Sequence, residues 1–134
     1  MPMVIGALKR LELIQTRPEL KENLWKIANA LQDGLRKAGL NLGNTQSAVT
    51  PVYFSGSVPE GTNVVIDLRE NHGIFCSIVV YPVVPKGQLM LRLIPTAVHT
   101  MDDVNRTIEV FKQIKANMDA GKYLTAEMQN MKLT

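Results

Sequence analysis

The most regular pattern in the sequence is an amphipathic helix between residues 20 and 38. Its apolar side is formed by Leu20, Leu24, Ile27, Ala28, Leu31, Leu35 and Ala38. Spacings of three and four residues place such side chains on one face of an α-helix. Gly39 follows at the position where a helix commonly ends in a left-handed residue. The chain must therefore supply a layer against which one long helix buries a single face.

Residues 3–15 predict a helix of a different kind. Its apolar residues are Val4, Ile5, Ala7, Leu8, Leu11, Leu13 and Ile14. Because they occur on nearly all sides, this helix favours burial against more than one neighbour. Pro18 disfavours helical geometry at Arg17, so the two helices are expected to be separate.

Three short apolar runs predict β-strands. The first covers residues 49–54 and contains Pro51, which cannot donate to a strand ladder and therefore belongs at an edge or a bulge. The second, residues 74–80, is apolar without alternation, which indicates a strand buried on both faces. The third, residues 89–94, alternates and stops at Pro95.

Two more helices complete the predicted order. A turn at 57–61 leads into a short helix at 61–72, which Gly73 ends. Thr100 is the expected N-cap of the last helix, since Asp102 and Asp103 follow it in the first turn. The buried stripe of that helix is predicted to be Val104, Ile108, Phe111, Ile114 or Lys115, and Met118.

The resulting order, α-α-β-α-β-β-α, predicts an α+β fold. Short connections favour a small, mostly antiparallel three-stranded sheet covered by helices on one face. Residues 18–120 are expected to form this domain, with a connecting helix at 1–17 and a polar tail at 121–134.

Composition narrows the function classes. The chain has 134 residues, 46% of them hydrophobic, and a net charge of +3 that comes from no basic block, so binding to nucleic acid is not expected. Its one cysteine, Cys76, lies in an apolar run and is expected to be buried rather than reactive. No apolar run approaches the about 20 residues that a membrane span needs, and no signal peptide opens the sequence. A cytoplasmic location is therefore expected.

No catalytic or metal-binding residue is predicted. The sequence has no glycine-rich phosphate loop, paired-cysteine motif, His-x-x-x-His motif or nucleophile elbow, so a hydrolase has no support. His72 precedes Gly73 at a helix end, where a cation is favourable, and a structural role is expected for it. His99 precedes Thr100 and is expected to pack against the first turn of the last helix.

Arg92 is the side chain that most suggests a site. The period of two places Leu89, Leu91 and Leu93 on one strand face, and Arg92 on the other with Met90 and Ile94. A guanidinium among apolar neighbours must meet an anion or reach water. One interpretation is a structural ion pair or an edge-strand arginine that reaches solvent. The other is a bidentate clamp for a carboxylate, which suits the planar fork of arginine.

The segment around Arg92 resembles a known family. Residues 81–87, Tyr-Pro-Val-Val-Pro-Lys-Gly, are followed five positions later by Arg92 and then by residues 97–100, Ala-Val-His-Thr. In this order they resemble the carboxyl-terminal end of the α-oxoamine synthases, and the resemblance covers about residues 20–118. These enzymes, which include glycine C-acetyltransferase, serine palmitoyltransferase and 8-amino-7-oxononanoate synthase, condense an acyl-CoA with a small amino acid on pyridoxal phosphate.

The resemblance implies the small domain of a fold-type-I enzyme that is homodimeric and inactive without its large domain. It implies that Arg92 binds the substrate carboxylate and that Tyr81 and Pro82 line the same cleft. Pyridoxal phosphate would be bound mainly by the large domain, which residues 1–17 would contact. Glycine or serine is the expected amino acid. Pro95 stands where relatives often have a small polar residue, so the loop after Arg92 is expected to differ. The alternative is a freestanding module that binds a ligand or a partner protein.

Overall fold

The computed structural model describes residues 2–124, and within them the helices and strands follow the predicted order. The elements are α1 (Pro2–Thr16), α2 (Pro18–Lys37), β1 (Thr50–Ser55), α3 (Val58–Glu70), β2 (Ser77–Val79), β3 (Gln88–Leu93) and α4 (Met101–Asp119). The predicted α+β class with a three-stranded sheet is confirmed.

The sheet has the strand order β1-β3-β2, and both strand pairs are antiparallel. β3, the last strand in the sequence, is therefore the central one. β1 lies at an edge, which confirms the position predicted from Pro51. In the register, Pro51 of β1 and Ser77 of β2 lie opposite Arg92 on either side of it.

The prediction of a strand buried on both faces at residues 74–80 is wrong. Only Ser77–Val79 form a strand, all three residues are half-buried, and Phe75 is 81% exposed. β2 pairs with β3 alone and lies at an edge of the sheet. Apolar composition could not separate an edge strand from a central one, because strand order is a property of the whole fold.

The third helix begins earlier than predicted. Ser57 is its N-cap: its hydroxyl accepts from the Glu60 N–H, and the Glu60 carboxylate accepts from the Ser57 N–H at 2.8 Å. This reciprocal capping box converts the expected turn at 57–61 into the first turn of α3. Gly61 is buried inside the helix, where a Cβ would lie 2.4 Å from Cδ1 of Ile78. Glycine at this position lets α3 approach the sheet closely.

The core lies between the sheet and the helix pair α2–α4. Ile27, Leu31 and Leu35 of α2 are buried, whereas Leu20 at the start of the stripe is 39% exposed. In α4 the predicted stripe is buried at Val104, Phe111 and Ile114 and partly buried at Ile108 and Met118, whereas the buried Val110 was not predicted. Ile114 is fully buried, and Lys115 instead donates from Nζ to the Gly39 carbonyl at 2.8 Å.

Helix α1 contacts α2 but has no buried residue. Seven of its apolar side chains are at least 36% exposed: Met3, Val4, Ile5, Leu8, Leu11, Leu13 and Ile14. The described part of the chain thus leaves the apolar surface of α1 open. Among residues 2–124, no helix is long and apolar enough to cross a membrane.

Residues 121–124, the described part of the expected polar tail, fold back onto α3. Tyr123 is buried, and its hydroxyl donates to Asp67 Oδ2 at 2.5 Å. Its carbonyl accepts from Asn63 Nδ2 at 3.0 Å. Hydrogen bonds from Asn71 and Tyr123 lower the pKa of Asp67, and burial with the Asp67 bond raises the pKa of Tyr123 to about 12. The other tail residues, 125–134, lie outside the described residues.

Candidate functional site

Arg92 lies on the face of β3 that is turned away from the helix pair. Leu89, Leu91 and Leu93 are buried while Arg92 is exposed, so the alternation expected from the sequence is confirmed. Because β3 is the central strand, Arg92 has β1 on one side and β2 on the other, and it is not an edge-strand arginine. The strand order thus removes one of the structural interpretations.

Within residues 2–124, the guanidinium makes one side-chain hydrogen bond, which orients it. Arg92 Nε donates to Ser77 Oγ at 3.1 Å, across the β2–β3 pair. None of the ion pairs between residues 2 and 124 involves Arg92. The described chain therefore provides no carboxylate for it, and the Nη atoms are open to a ligand. Planar donors of this kind match a carboxylate in a bidentate way.

Tyr81 and Pro82 lie at the opposite end of the β2–β3 pair. They follow β2, are exposed, and are joined by a cis peptide bond. Tyr81 and Gln88 line a cavity of about 390 Å³, together with Ser57 at the start of α3. Gln88 precedes Arg92 on β3 by roughly 13 Å of strand, at about 3.3 Å per residue. The described chain does not bring Tyr81 and Arg92 into contact, and their sharing of one cleft stays a prediction.

Lys86 covers the ring of Tyr81. Its Nζ lies 5.2 Å from the ring centroid, a cation–π contact between two exposed side chains. Lys86 also lines the same cavity, next to Gly87. Lys86 and Tyr81 thus meet at the wall of the cavity that Ser57 also lines.

The loop after Arg92 is held by three anchors. Pro95 is buried, Asn23 of α2 donates to the Ala97 carbonyl, and His99 Nδ1 accepts from the Thr96 N–H at 2.9 Å. His99 thus fastens its own turn, and its packing on the first turn of α4 stays a prediction. The predicted N-cap is confirmed, because Thr100 and Asp103 form a capping box. Hydrogen bonds from Thr100 lower the pKa of Asp103.

A second cavity of about 390 Å³ lies beside this loop, lined by both histidines. His72 Nε2 is 3.9 Å from Asp67 Oδ1, and the His72 carbonyl accepts from Arg106 Nη2 at 2.8 Å. Arg106 therefore supplies a cation at the carboxyl-terminal end of α3, next to His72, for which a structural role at this helix end was expected. The cavity also contains the exposed ring of Phe75.

Neither a reactive thiol nor a cluster of metal-ligating side chains occurs among residues 2–124. Burial raises the pKa of the Cys76 thiol to about 11, so the reactive thiolate is scarce near neutral pH. No cluster of three or more metal-ligating side chains occurs in the described residues. Arg92, oriented by its bond to Ser77, is left as the side chain whose donors are open to a ligand.

Pyridoxal phosphate, which the family resemblance implies, does not fit a site made by residues 2–124 alone. Lys86 lines a cavity, but it is exposed and stacked on Tyr81 instead of projecting from an enclosed wall. The start of α3, which could otherwise receive a phosphate, is occupied by the Glu60 carboxylate. No step of cofactor chemistry is therefore assigned to these residues.

Known proteins share both the sequence and the fold. The chain is 51% identical to a cysteate-C-fatty acyltransferase of Capnocytophaga ochracea over 98% of its own length and 33% of the relative's. It is 35% identical to the serine palmitoyltransferase of Sphingobacterium spiritivorum, covering 82% of the chain and 28% of the relative. It is 31% identical to the 2-amino-3-ketobutyrate coenzyme A ligase of Escherichia coli K12, covering 84% and 28%. No protein-family model matches.

Solved structures agree. A high-resolution structure of SPT with PLP superposes with a TM-score of 0.69 at 25% identity, over 81% of this chain and 27% of that one. The serine palmitoyltransferase of Sphingomonas wittichii gives a TM-score of 0.65 at 25% identity, over 77% and 25%. The fold is thus that of one part of a pyridoxal-phosphate-dependent enzyme. The chain is homologous to the carboxyl-terminal part of the α-oxoamine synthases and spans about a third of the relatives' length.

Ser77 was not singled out in the sequence, although it is the one hydroxyl residue in the apolar run 74–80. Its significance depends on the pairing of β2 with β3, which places it opposite Arg92. A polar residue inside an otherwise apolar strand was the available signal.

Proposed function

We propose that this chain is the substrate-binding carboxyl-terminal domain of an acyltransferase that uses pyridoxal phosphate to condense an acyl-CoA with a small amino acid. The observation that carries the proposal is Arg92, a guanidinium on the open sheet face with no carboxylate partner in residues 2–124. Its role is to bind the amino-acid carboxylate and so to orient the substrate. Orientation of this kind is a large part of catalysis, and the cofactor supplies the electron sink.

The amino acid is proposed to be one of three. Glycine and serine are the candidates from the sequence. The relative with 51% identity is named for cysteate, whereas those with 31–35% identity include enzymes named for serine and 2-amino-3-ketobutyrate. The identity difference favours cysteate, and the word "fatty" in that relative's name favours a long acyl chain. All three amino acids have the carboxylate that Arg92 would bind.

The wider organisation is also a proposal. The exposed apolar surface of α1, within the expected connecting helix at 1–17, supports a contact with the remainder of a longer parent enzyme. Pyridoxal phosphate would be bound mainly there, and the domain at 18–120 alone would be inactive. The parent is proposed to be a cytoplasmic homodimer. Homology over 98% of the chain supports this organisation over a freestanding module.

Spectral titration of the parent enzyme, loaded with pyridoxal phosphate, tests the proposal. Glycine, serine and cysteate are added in turn, and the change in cofactor absorbance gives each dissociation constant. We expect Arg92→Ala to weaken the binding of the preferred amino acid by roughly 10- to 100-fold, since hydrogen bonds to charged groups are worth about 1.5–3 kcal/mol. Arg92→Lys is expected to be milder, because it keeps the charge and loses the fork.

Arg36→Ala is the matched control, because Arg36 is an exposed arginine on α2 whose Nη1 lies 3.7 Å from Asp33. It is expected to bind like the wild type. Equal binding by the wild type and Arg92→Ala would remove Arg92 from the site. An absorbance that responds to none of the three amino acids would remove the proposed function itself.

A further inference from the structure

Among residues 2–124, the Arg92 side chain makes one side-chain hydrogen bond, and its acceptor comes from an edge strand. Ser77 lies directly opposite Arg92 in the β2–β3 register, and its Oγ accepts from Nε at 3.1 Å. The residue opposite Arg92 on the other side is Pro51, whose side chain has no hydrogen-bonding group. Met90 precedes Arg92 on the same face of β3, and the exposed Ile94 follows just after the strand ends.

The hydrogen bond engages one particular edge of the guanidinium. An arginine can offer a carboxylate either the edge formed by Nε and one Nη atom or the edge formed by the two Nη atoms. Because Nε is bound to Ser77, the two Nη atoms remain as the pair that can bind both carboxylate oxygens. Ser77 thus restricts both the direction of the side chain and the edge that it presents.

We propose that Ser77 is a positioning residue that holds Arg92 through Nε so that its two Nη atoms bind the amino-acid carboxylate end-on. The proposal rests on the proposed function and adds a residue on β2 that does not itself contact the substrate. A long, flexible side chain loses rotamer freedom when it binds a ligand, and a partner that restricts it beforehand reduces that loss. Without the hydroxyl, Arg92 would retain its charge but not its fixed orientation.

The test compares Ser77→Ala and Ser77→Thr in the parent enzyme, by calorimetric titration with amino acids and with amines that lack the carboxylate. Ethanolamine is the matched amine for serine, and taurine is the matched amine for cysteate. We expect Ser77→Ala to weaken the binding of the amino acid by about fivefold, the factor for a hydrogen bond worth about 1 kcal/mol. Ser77→Thr keeps the hydroxyl and suits a strand, so it is expected to restore most of the affinity.

Binding of ethanolamine or taurine is expected to be the same in the wild type and in both variants. Ser55 lies at the exposed end of β1, so Ser55→Ala serves as the control for a substitution in the sheet. It is expected to change the binding of neither the amino acid nor the amine. Thermal unfolding of each variant shows whether the fold is kept.

If Ser77→Ala weakened the binding of the amino acid and of the amine equally, Ser77 would have a structural role and the proposal would be overturned. Unchanged amino-acid binding in Ser77→Ala, with weakened binding in Arg92→Ala, would overturn it and leave the proposed function intact. No effect of Arg92→Ala would overturn both.

Discussion

Helices α2 and α4, which support the buried face of β3, approach each other closely at Gly34. A Cβ added to Gly34 would lie 2.1 Å from Cδ1 and 2.9 Å from Cγ1 of Ile108. Both distances are too short for carbon atoms, and Cγ1 is not the far end of the side chain. The substitution Gly34→Ala must therefore displace the Ile108 side chain or separate the helices.

The two contributions to the stability of Gly34→Ala have opposite signs. Alanine favours a helix interior over glycine by about 1 kcal/mol. Overpacking of a filled core costs about 1–3 kcal/mol. We expect the steric effect to prevail and the free energy of unfolding to fall by about 1 kcal/mol, the difference between a middle value of that range and the helix gain.

Gly6→Ala is the matched control, because a Cβ at Gly6 of α1 would have no neighbour within 4 Å. The same change there is expected to leave the free energy of unfolding unchanged or to raise it by up to about 1 kcal/mol. The assay is urea unfolding of the chain, followed by far-ultraviolet circular dichroism. Adding Ile108→Ala to Gly34→Ala removes both close atoms. The double variant should therefore lose less unfolding free energy than the two single variants lose in total. Stabilisation by Gly34→Ala equal to that by Gly6→Ala would refute the close packing of α2 on α4.

Two further predictions concern Tyr123 and Cys76. Tyr123→Phe is expected to lower the free energy of unfolding by about 1.5–3 kcal/mol in urea titration, because it removes a bond to a carboxylate; an unchanged midpoint would contradict the Tyr123–Asp67 contact. Since the folded pKa of Tyr123, about 12, is above the usual value of 10.0, its contribution is complete below pH 10 and declines as pH rises toward 12. This decline should be weaker in Tyr123→Phe. Burial raises the pKa of Cys76 to about 11, so this thiol should react with an aromatic disulfide reagent near neutral pH only after unfolding. Rapid labelling of the native chain would place Cys76 at the surface.

The sequence predicted the elements with strong local periodicity and missed those that depend on strand order. The stripes of α2 and α4 and the alternation around Arg92 are local patterns, and each appears in the structure. The position of β2 at an edge, and with it the exposure of Phe75, is set by pairing between distant segments. The early start of α3 was readable in principle, because Ser57 and Glu60 have the spacing of a capping box.

The candidate site was predicted in the same uneven way. Arg92 could be identified because a lone cation interrupts an alternating strand. Ser77 could not, because its relation to Arg92 exists only once β2 and β3 pair antiparallel in one register. Tyr123 was assigned to the tail since nothing in the sequence connects it to Asp67, which lies 56 residues away.

The central claim, that Arg92 binds the carboxylate of the amino-acid substrate, is tested most directly by one ratio. It is the dissociation constant of the parent enzyme for taurine divided by that for cysteate, two ligands that differ only by the carboxylate. If serine is the preferred amino acid, the pair is ethanolamine and serine. We predict that Arg92→Ala lowers this ratio by roughly 10- to 100-fold, as expected when hydrogen bonds to a charged group are lost. A ratio that is the same in the wild type and in Arg92→Ala would contradict the account.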